Sequence, residues 1–351
     1  MSDVAAFGPS LIDICAQLPD DRYAACQLLL GLTRPGWRRL ADYGAVWRLI
    51  DAMSDWPVRK GTVLDAVRAC PDLFLAAGST TLGMLAAMPA ERRTGSTFIS
   101  VLANVAGSID PLSRAFTDAV SAIGITHEYS IAAGHNPVGF VLSGRSERDK
   151  TIATYSGVAS IFNGTDLQRL EPELVLVDAY ELVAGEMAAF LHETIEARKF
   201  RIALSMGNDQ LLTGDLGERI RRYVRSKRLY VLCGNAEEYR ALFPGLDKRL
   251  VTPEGFRDHP VRDYVPYALI TFAEKGMAAH WDGSFALADA FPVCQDRILN
   301  TSGVGDAAAG SFCAGVIGDD DVIETLHRSA RLASAVLLVL HPQLLEGTHS
   351  E

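Results

Sequence analysis

From residue 174 onward the sequence alternates short apolar runs with longer amphipathic ones, and this alternation constrains the fold more than any other feature. The spacing predicts strands over 174–178, 201–205, 229–233 and 268–272. Helices are expected between them, over 182–198, 212–225 and 236–242. Strands joined by helices run parallel and need apolar cover on both faces. A hairpin is expected through 277–281 and a last helix over 322–340. The first half is less regular. A strand is expected over 3–14, interrupted by Gly8-Pro9-Ser10, with helices over 26–53 and 58–69. Strand 73–77, helix 82–88, strand 97–103 and helix 111–123 follow. Alternating segments at 137–143 and 151–156 flank the polar turn GRSERDK, a hairpin signature and the best candidate for a lid.

In parallel sheets of this kind, ligands bind at the carboxyl ends of the strands. Asp13, Gly78, Asn235, Thr271 and the turn Gly303–Asp306 each follow an apolar, strand-like run, so they are expected on one rim. The turn carries the most chemistry. It lies in ILNTSGVGDAAAGSFCAGVI, residues 298–317, where Gly303, Val304, Gly305 and Asp306 precede a run of small and apolar residues. That pattern reads as a turn feeding a helix N-terminus. Uncovered backbone N–H groups and the positive end of the helix dipole make an anion site there. A carboxylate at the mouth of an anion site is costly unless it takes a proton from a nucleophile that attacks the anion. The competing reading is a plain turn whose aspartate only steadies the dipole.

Composition narrows the classes. A net charge of −10 disfavours nucleic acid as a partner. No apolar run is long enough for a membrane span, the longest being 333–340, and MSDVAAFG has no basic leader. Cys15, Cys26, Cys70, Cys233, Cys294 and Cys313 form no CxxC pair and read as buried thiols of a cytoplasmic protein. HETIE, starting at His192, misses a zinc-binding HExxH because Glu196 takes the second histidine's place, and no metal ligands are assigned. The arginines at 219–225 read as a solvated helix end, and Asp319-Asp320-Asp321 as a loop and N-cap.

NTSGVGDAAAGSF resembles the signature of the ribokinase-like (PfkB) sugar and nucleoside kinases, D-T-T/S-G-A-G-D-x-F-x-x-G, through Thr301, Ser302, Gly303, Gly305, Asp306 and Gly310. Other landmarks follow in order. Asp13 matches the acidic residue closing the first strand, AAGSTT resembles G-G-x-x-x-N through Gly78, GNAEEYRAL resembles N-x-x-E through Asn235 and Glu238, and LITFAEKGM resembles T-x-G-x-x-G through Thr271 and Gly276. The resemblance spans nearly the whole chain, with the long segment before Gly78 closer to the adenosine-kinase branch. It implies one ribokinase-like α/β domain over 1–351, a three-layer sandwich with a mostly parallel central sheet and a small β lid drawn from about 14–20, 72–77 and 125–156.

The implied activity is phosphoryl transfer from ATP with Mg²⁺ to a hydroxymethyl group of a sugar or nucleoside. Asp306 would be the base and the Gly303-Val304-Gly305 amides the anion hole. Asp13 and Gly78 would bind the acceptor, and Asn235, Glu238, Thr271, Gly276, Thr301 and Ser302 the nucleotide side. An open lid edge would favour a homodimer. Asn300 stands at the signature's first acidic position, Ala77 and Ala273 at usual glycines, and Leu82 at the usual acceptor-binding asparagine. A catalytically silent nucleotide- or sugar-binding protein is therefore the alternative. A dinucleotide binder would need GxGxxG after the first strand, which GPSLID does not supply.

Overall fold

The apolar run at the N-terminus forms two strands in two different sheets. Val4–Phe7 (β1) ends at Gly8-Pro9-Ser10, and Ile12–Leu18 (β2) begins the second sheet. Pro9 has no N–H to give to a ladder, so pairing stops there. The computed structural model of the chain describes residues 3–35, 37–53, 61–70, 73–145, 150–161, 167–294, 297–298 and 301–338.

The expected long helix over 26–53 is three elements: Asp20–Leu29 (α1), Trp37–Arg39 (β3) and Tyr43–Met53 (α2). Pro35 disfavours helix in the residue before it, and Trp37-Arg38-Arg39 instead pairs with a strand of the second sheet. Thr62 and Asp65 form a capping box that starts Val63–Arg68 (α3); the expected helix residues 58–60 lie outside the described ones. Leu73–Ala77 (β4) is followed by Thr80–Ala86 (α4) and Ala90–Thr94 (α5). Next come Ser96–Val105 (β5), Ser108–Ile109 (β6), Pro111–Ile123 (α6) and Thr126–Ala133 (β7). The expected hairpin is Val138–Gly144 (β8) with Thr151–Tyr155 (β9).

After Leu167–Leu170 (α7) the alternation follows as expected. Leu174–Asp178 (β10), Glu186–Ala197 (α8), Ile202–Ser205 (β11), Asp215–Arg225 (α9), Val231–Asn235 (β12), Ala236–Leu242 (α10) and Tyr267–Thr271 (β13) succeed one another. Helix α8 starts later than its apolar pattern because Gly185 caps it outside helical geometry. Met277–Trp281 (β14) pairs with Ser284–Ala288 (β15), a strand the sequence reading missed. Val304–Gly318 (α11) and Val322–Val336 (α12) end the described chain, with 339–340 of the expected last helix outside it.

The main sheet has ten strands in the order β15-β14-β13-β12-β11-β10-β1-β5-β6, with β7 also on β5. Its centre, β13 through β5, is parallel, and the β14–β15 edge is antiparallel. Successive strand residues point to opposite faces, and each face buries its own core. Val4, Ala6, Leu174 and Leu176 join one apolar cluster, with α4, α11 and α12. Ala5, Phe7, Val175 and Val177 join the other, with α8, α9 and α10. The result is a three-layer sandwich. Helix α11 lies unusually close to its neighbours: a Cβ at Gly310 would overlap the Met84 carbonyl of α4, and one at Gly315 the Thr325 side chain of α12. Small residues along α11 permit this approach.

The second sheet has five strands in the order β3-β9-β8-β2-β4. Residues 126–133, which the sequence reading assigned to the lid span, run as β7 beside β5 in the main sheet instead. The alternation in 126–133 does not distinguish between the sheets; parallel pairing with β5 does. Helices α3 and α6 pack on β4, covering one edge of the small sheet. The other edge, β3, is three residues long and carries two arginines, a poor template for pairing with a second chain.

The chain crosses between the sheets at 8–11 and again at 134–137. Asn136, 1% exposed, ties the crossings together. Its Nδ2 donates to the carbonyls of Ser10 (2.9 Å) and Pro137 (2.7 Å), and its Oδ1 accepts from Ser113 Oγ (2.6 Å). Asn136→Ala leaves the buried Ser10 carbonyl and the Ser113 hydroxyl proton without these partners, while the Pro137 carbonyl keeps Ile12 N–H. It is expected to lower unfolding free energy by about 2–4 kcal/mol, at 1–3 per orphaned buried group, measured by urea denaturation.

Candidate active site

A cavity of about 380 Å³ lies between the small sheet and the carboxyl ends of β1, β10 and β11, with the start of α11 at its floor. Asp13, Gly78, Ser302, Gly303 and Asp306 all line it, so five residues expected at the site from sequence meet in one space. Asp13 is on β2, between β4 and β8. A Cβ at Gly78 would come within 2.8 Å of its Oδ2, and one at Gly139 would overlap its Oδ1. The two glycines thus form a slot that fixes this carboxylate at the cavity wall. Ser79, beside Gly78, holds φ at 89°, a strained setting for a residue with a side chain. Its hydroxyl meets Thr81 Oγ1 at 3.0 Å, and Thr81 is bonded to the Phe7 carbonyl at 2.6 Å.

Gly303 caps α11 with φ at 77°, in the left-handed region open to glycine. The first hydrogen bond of the helix runs from Ala307 N–H to Gly303 O at 2.8 Å. The N–H groups of Val304, Gly305 and Asp306 precede it and have no acceptor within the helix. Gly305 is exposed, and beyond its own helix no group of the described residues lies within 4 Å of where its Cβ would stand. That leaves the N-terminus of a 15-residue helix open to an anion. Asp306, in the first turn, is half-buried. Burial pushes its carboxyl well above the usual range, and the nearby Asp178, Glu238 and Asp13 push the same way. Burial likewise raises Asp13 to about 7, against an opposing pull from Lys150.

Lys150 was read from sequence only as part of a polar hairpin turn. In the structure it immediately precedes β9, and its Nζ donates to Ser302 Oγ at 2.6 Å, across 152 positions of sequence. Burial lowers the Lys150 ammonium to about 8, while Cys15 and Asp13 favour its charge. The small sheet therefore places a cation on the turn that opens α11, within the field of Asp13.

The remaining expected residues sit elsewhere. Asn235 and Glu238 are at the carboxyl end of β12, and Thr271 pairs with Asn235 across β13. None lines the cavity, although α11 packs on both strands. Asn235 and Glu238 form a reciprocal cap on α10. Asn235 Oδ1 accepts from the N–H groups of Glu237 (2.8 Å) and Glu238 (3.0 Å), and Glu238 Oε2 accepts from Asn235 N–H (2.8 Å). Burial raises Glu238 to about 7. Gly276 follows Ala273, whose φ of 53° explains why a glycine suits position 273. Thr301 is exposed, and Asn300 lies outside the described residues. Leu82 is fully buried among the core residues of α4, so nothing polar or ligand-facing stands at that position; Ser79 and Thr80 line the cavity in its stead.

Two further carboxylates were missed. Asp178 closes β10, and Glu181 follows one turn later; both line the cavity with Tyr180 and Trp37. Asp178 ends an apolar strand just as Asp13 was expected to, so the signal was present. No group of three or more His, Cys, Asp or Glu side chains among the described residues is disposed to hold a metal ion. Cys294 is exposed rather than buried; the other five cysteines are buried, and all six are free thiols. His192 bonds Tyr223 Oη (2.8 Å) and the Leu182 carbonyl (3.1 Å), and Asp321 caps α12 through the N–H groups of Ile323 and Glu324, so both motifs serve the scaffold. No helix among the described residues is long and apolar enough to cross a membrane.

The sheet order, the second sheet and the helix-capping glycine turn define the ribokinase-like α/β fold. Among solved structures, the chain is similar to adenosine kinase from Sinorhizobium meliloti (15% identity, TM-score 0.77), covering 99% of this chain and 97% of that one. It is similar to a probable sugar kinase from Rhizobium etli CFN 42 (14% identity, TM-score 0.78), covering 99% and 96%. Ribokinase from Thermotoga maritima superposes less well (15% identity, TM-score 0.61), covering 98% and 95%, so the layout is nearer the adenosine-kinase form. The sequence matches no family model and no curated protein.

Proposed function

We propose that the chain is an ATP-dependent kinase that phosphorylates a hydroxymethyl group of a sugar or nucleoside. The observation that carries this reading is that Asp13, Asp306 and the start of α11 face one cavity, with Lys150 of the small sheet bonded to the turn between them. Asp13 holds the acceptor's hydroxyls. Asp306 takes the proton of the hydroxyl as its oxygen bonds to the γ-phosphorus, and the bond to the ADP oxygen breaks with its electron pair leaving on ADP. The Gly303–Gly305 amides and Lys150 face the charge that gathers on the transferred group, and fixed charges of this kind carry most of the rate in phosphoryl transfer. The small sheet acts as a lid that excludes water.

The open flank of Gly305 and the free N–H groups of α11 fit ATP phosphates. Glu238 is engaged by its cap, which fits a Mg²⁺ ion held largely through water rather than by direct protein ligands. Magnesium, when bound with ATP, offsets phosphate charge. The same reading makes the protein cytoplasmic, with a small molecule as partner. The short, arginine-bearing β3 edge gives a homodimer through the lid little support.

The lack of an acceptor-binding asparagine beside Gly78 leaves one rival, a catalytically silent sugar- or nucleotide-binding protein. A thermal-shift screen over sugars and nucleosides, with and without a non-hydrolysable ATP analogue, tests the proposal. A ligand of the folded state raises its melting temperature. The kinase reading expects an acceptor and the ATP analogue each to raise it. No shift with the ATP analogue at saturating concentration would overturn the reading.

A further inference from the structure

The cavity's chemistry also points to the kind of acceptor, an inference that rests on the kinase reading above. Asp178 is fully buried. Its Oδ1 accepts from Tyr180 N–H (2.8 Å), but its Oδ2 has no hydrogen-bond partner among the described residues. The hydroxyls of Ser205 and Thr80 lie nearby and favour the charged form, but neither makes a hydrogen bond to Oδ2. A buried carboxylate oxygen left unpartnered on a cavity wall costs free energy unless a ligand completes it. Glu181 stands beside it, with Oε2 accepting Asp178 N–H at 2.6 Å. With Asp13 and Asp306, four carboxyl groups line one small space. Two cations stand nearby against four carboxyl groups: the Lys150 ammonium is bonded at the α11 turn, and Arg39 lines the cavity from the exposed β3 edge.

Aromatic rings complete the wall. Trp37, Tyr155 and Tyr180 line the same cavity, with the Trp37 and Tyr180 rings 6.1 Å apart between centroids. Carboxylates set among aromatic faces are the chemistry that recognises an ammonium, which gains from the charge and from the ring quadrupoles within about 6 Å. Burial raises Asp178 to about 7 and Glu181 well above its usual value. A bound cation restores their ionisation and relieves that penalty. An anionic group at this end of the cavity, such as the carboxylate of a sugar acid, would keep these four carboxyl groups protonated and gains no charge pairing from them.

We propose that the acceptor is an alcohol bearing a protonated amine, an amino sugar or a shorter amino alcohol, whose ammonium sits between Asp178–Glu181 and the rings of Trp37, Tyr155 and Tyr180. The cavity of about 380 Å³ suits a molecule of that size.

Matched pairs of probes test this by calorimetry and ADP release: glucosamine against glucose, and 2-aminoethanol against ethylene glycol, at pH 7.5 with the full-length protein. The amine is expected to bind at least tenfold tighter than its neutral partner in one or both pairs. Asp178→Asn should bring the two members within about twofold while leaving the affinity for the ATP analogue unchanged. Trp37→Leu provides a second variant should Asp178→Asn fold poorly, and should weaken the amine about tenfold. Equal or tighter binding of the neutral members, binding of neither, or an amine preference that survives both substitutions overturns the proposal. An amine that binds tightly yet releases no ADP from ATP supports this inference and counts against the kinase reading. ADP release with a neutral acceptor alone does the reverse.

Discussion

Replacing Asp306 with asparagine is expected to lower turnover by about 10²–10⁴-fold, the usual contribution of a positioned general base, while ATP binding changes little. Asparagine keeps the size and the hydrogen-bonding edge of the side chain but cannot take a proton. The acid limb of the pH–rate profile follows from the same residue. Burial and the carboxylates of Asp178, Glu238 and Asp13 raise the Asp306 carboxyl. It must be ionised to act, so activity falls as pH drops through its raised value. Asp306→Asn also removes a carboxylate from a cluster that repels it, so at pH 8 the variant is expected to melt at the same temperature as the parent or higher. A drop of several degrees together with the loss of rate would assign Asp306 to the scaffold instead.

Lys150→Met is the second large effect. Its ammonium sits on Ser302 at the mouth of the α11 amides, where the transferred phosphoryl group passes in the proposed reaction. Loss of one preorganised charge donor at such a place costs about 10²–10³-fold in kcat. Methionine keeps most of the length and the apolar stem, so the stability of the fold should change little. Lys150→Arg should recover part of the rate. The sign of the pH effect is opposite to that of Asp306. Burial lowers Lys150 to about 8, and it acts as a cation, so activity falls as pH rises through about 8. The wild-type profile is thus bell-shaped, and the alkaline limb should vanish in Lys150→Met. If kcat is preserved and only KM for ATP rises, Lys150 binds nucleotide without serving the transfer step.

Much of this cavity was legible because a glycine turn that opens a helix leaves local marks. Gly303 needs a left-handed backbone angle and Gly305 and Asp306 a place in the first helical turn, and both are written in a few adjacent residues. The parallel strands after residue 174 were legible for a similar reason, since each is a short apolar run between amphipathic helices. The small sheet was harder to read. Its strands come from four separate stretches of chain, and β3 is only three residues long, so pairing rather than pattern decides it. The alternation in β7 fits either sheet, and only its register beside β5 shows which.

Lys150, Trp37 and Asp178 were not assigned to the site because their meaning is tertiary. Lys150 lies in a charged turn that looks solvated until β9 brings it to Ser302. Trp37 lies where a helix was expected. Asp178 ends a buried strand, and only the cavity beyond it shows that its second oxygen lacks a partner. Leu82 shows the converse. The resemblance aligned it with a ligand-binding asparagine, but its place on the inner face of α4 makes it a core residue.

The most direct test of phosphoryl transfer at the α11 turn is coupled ADP release, measured against a panel of neutral and amine-bearing sugars and nucleosides with wild type and Asp306→Asn in parallel. The account predicts ADP production that depends on the acceptor in the wild type and falls by at least about a hundredfold in the variant. ADP production that needs no acceptor, or that survives unchanged in Asp306→Asn, would contradict it.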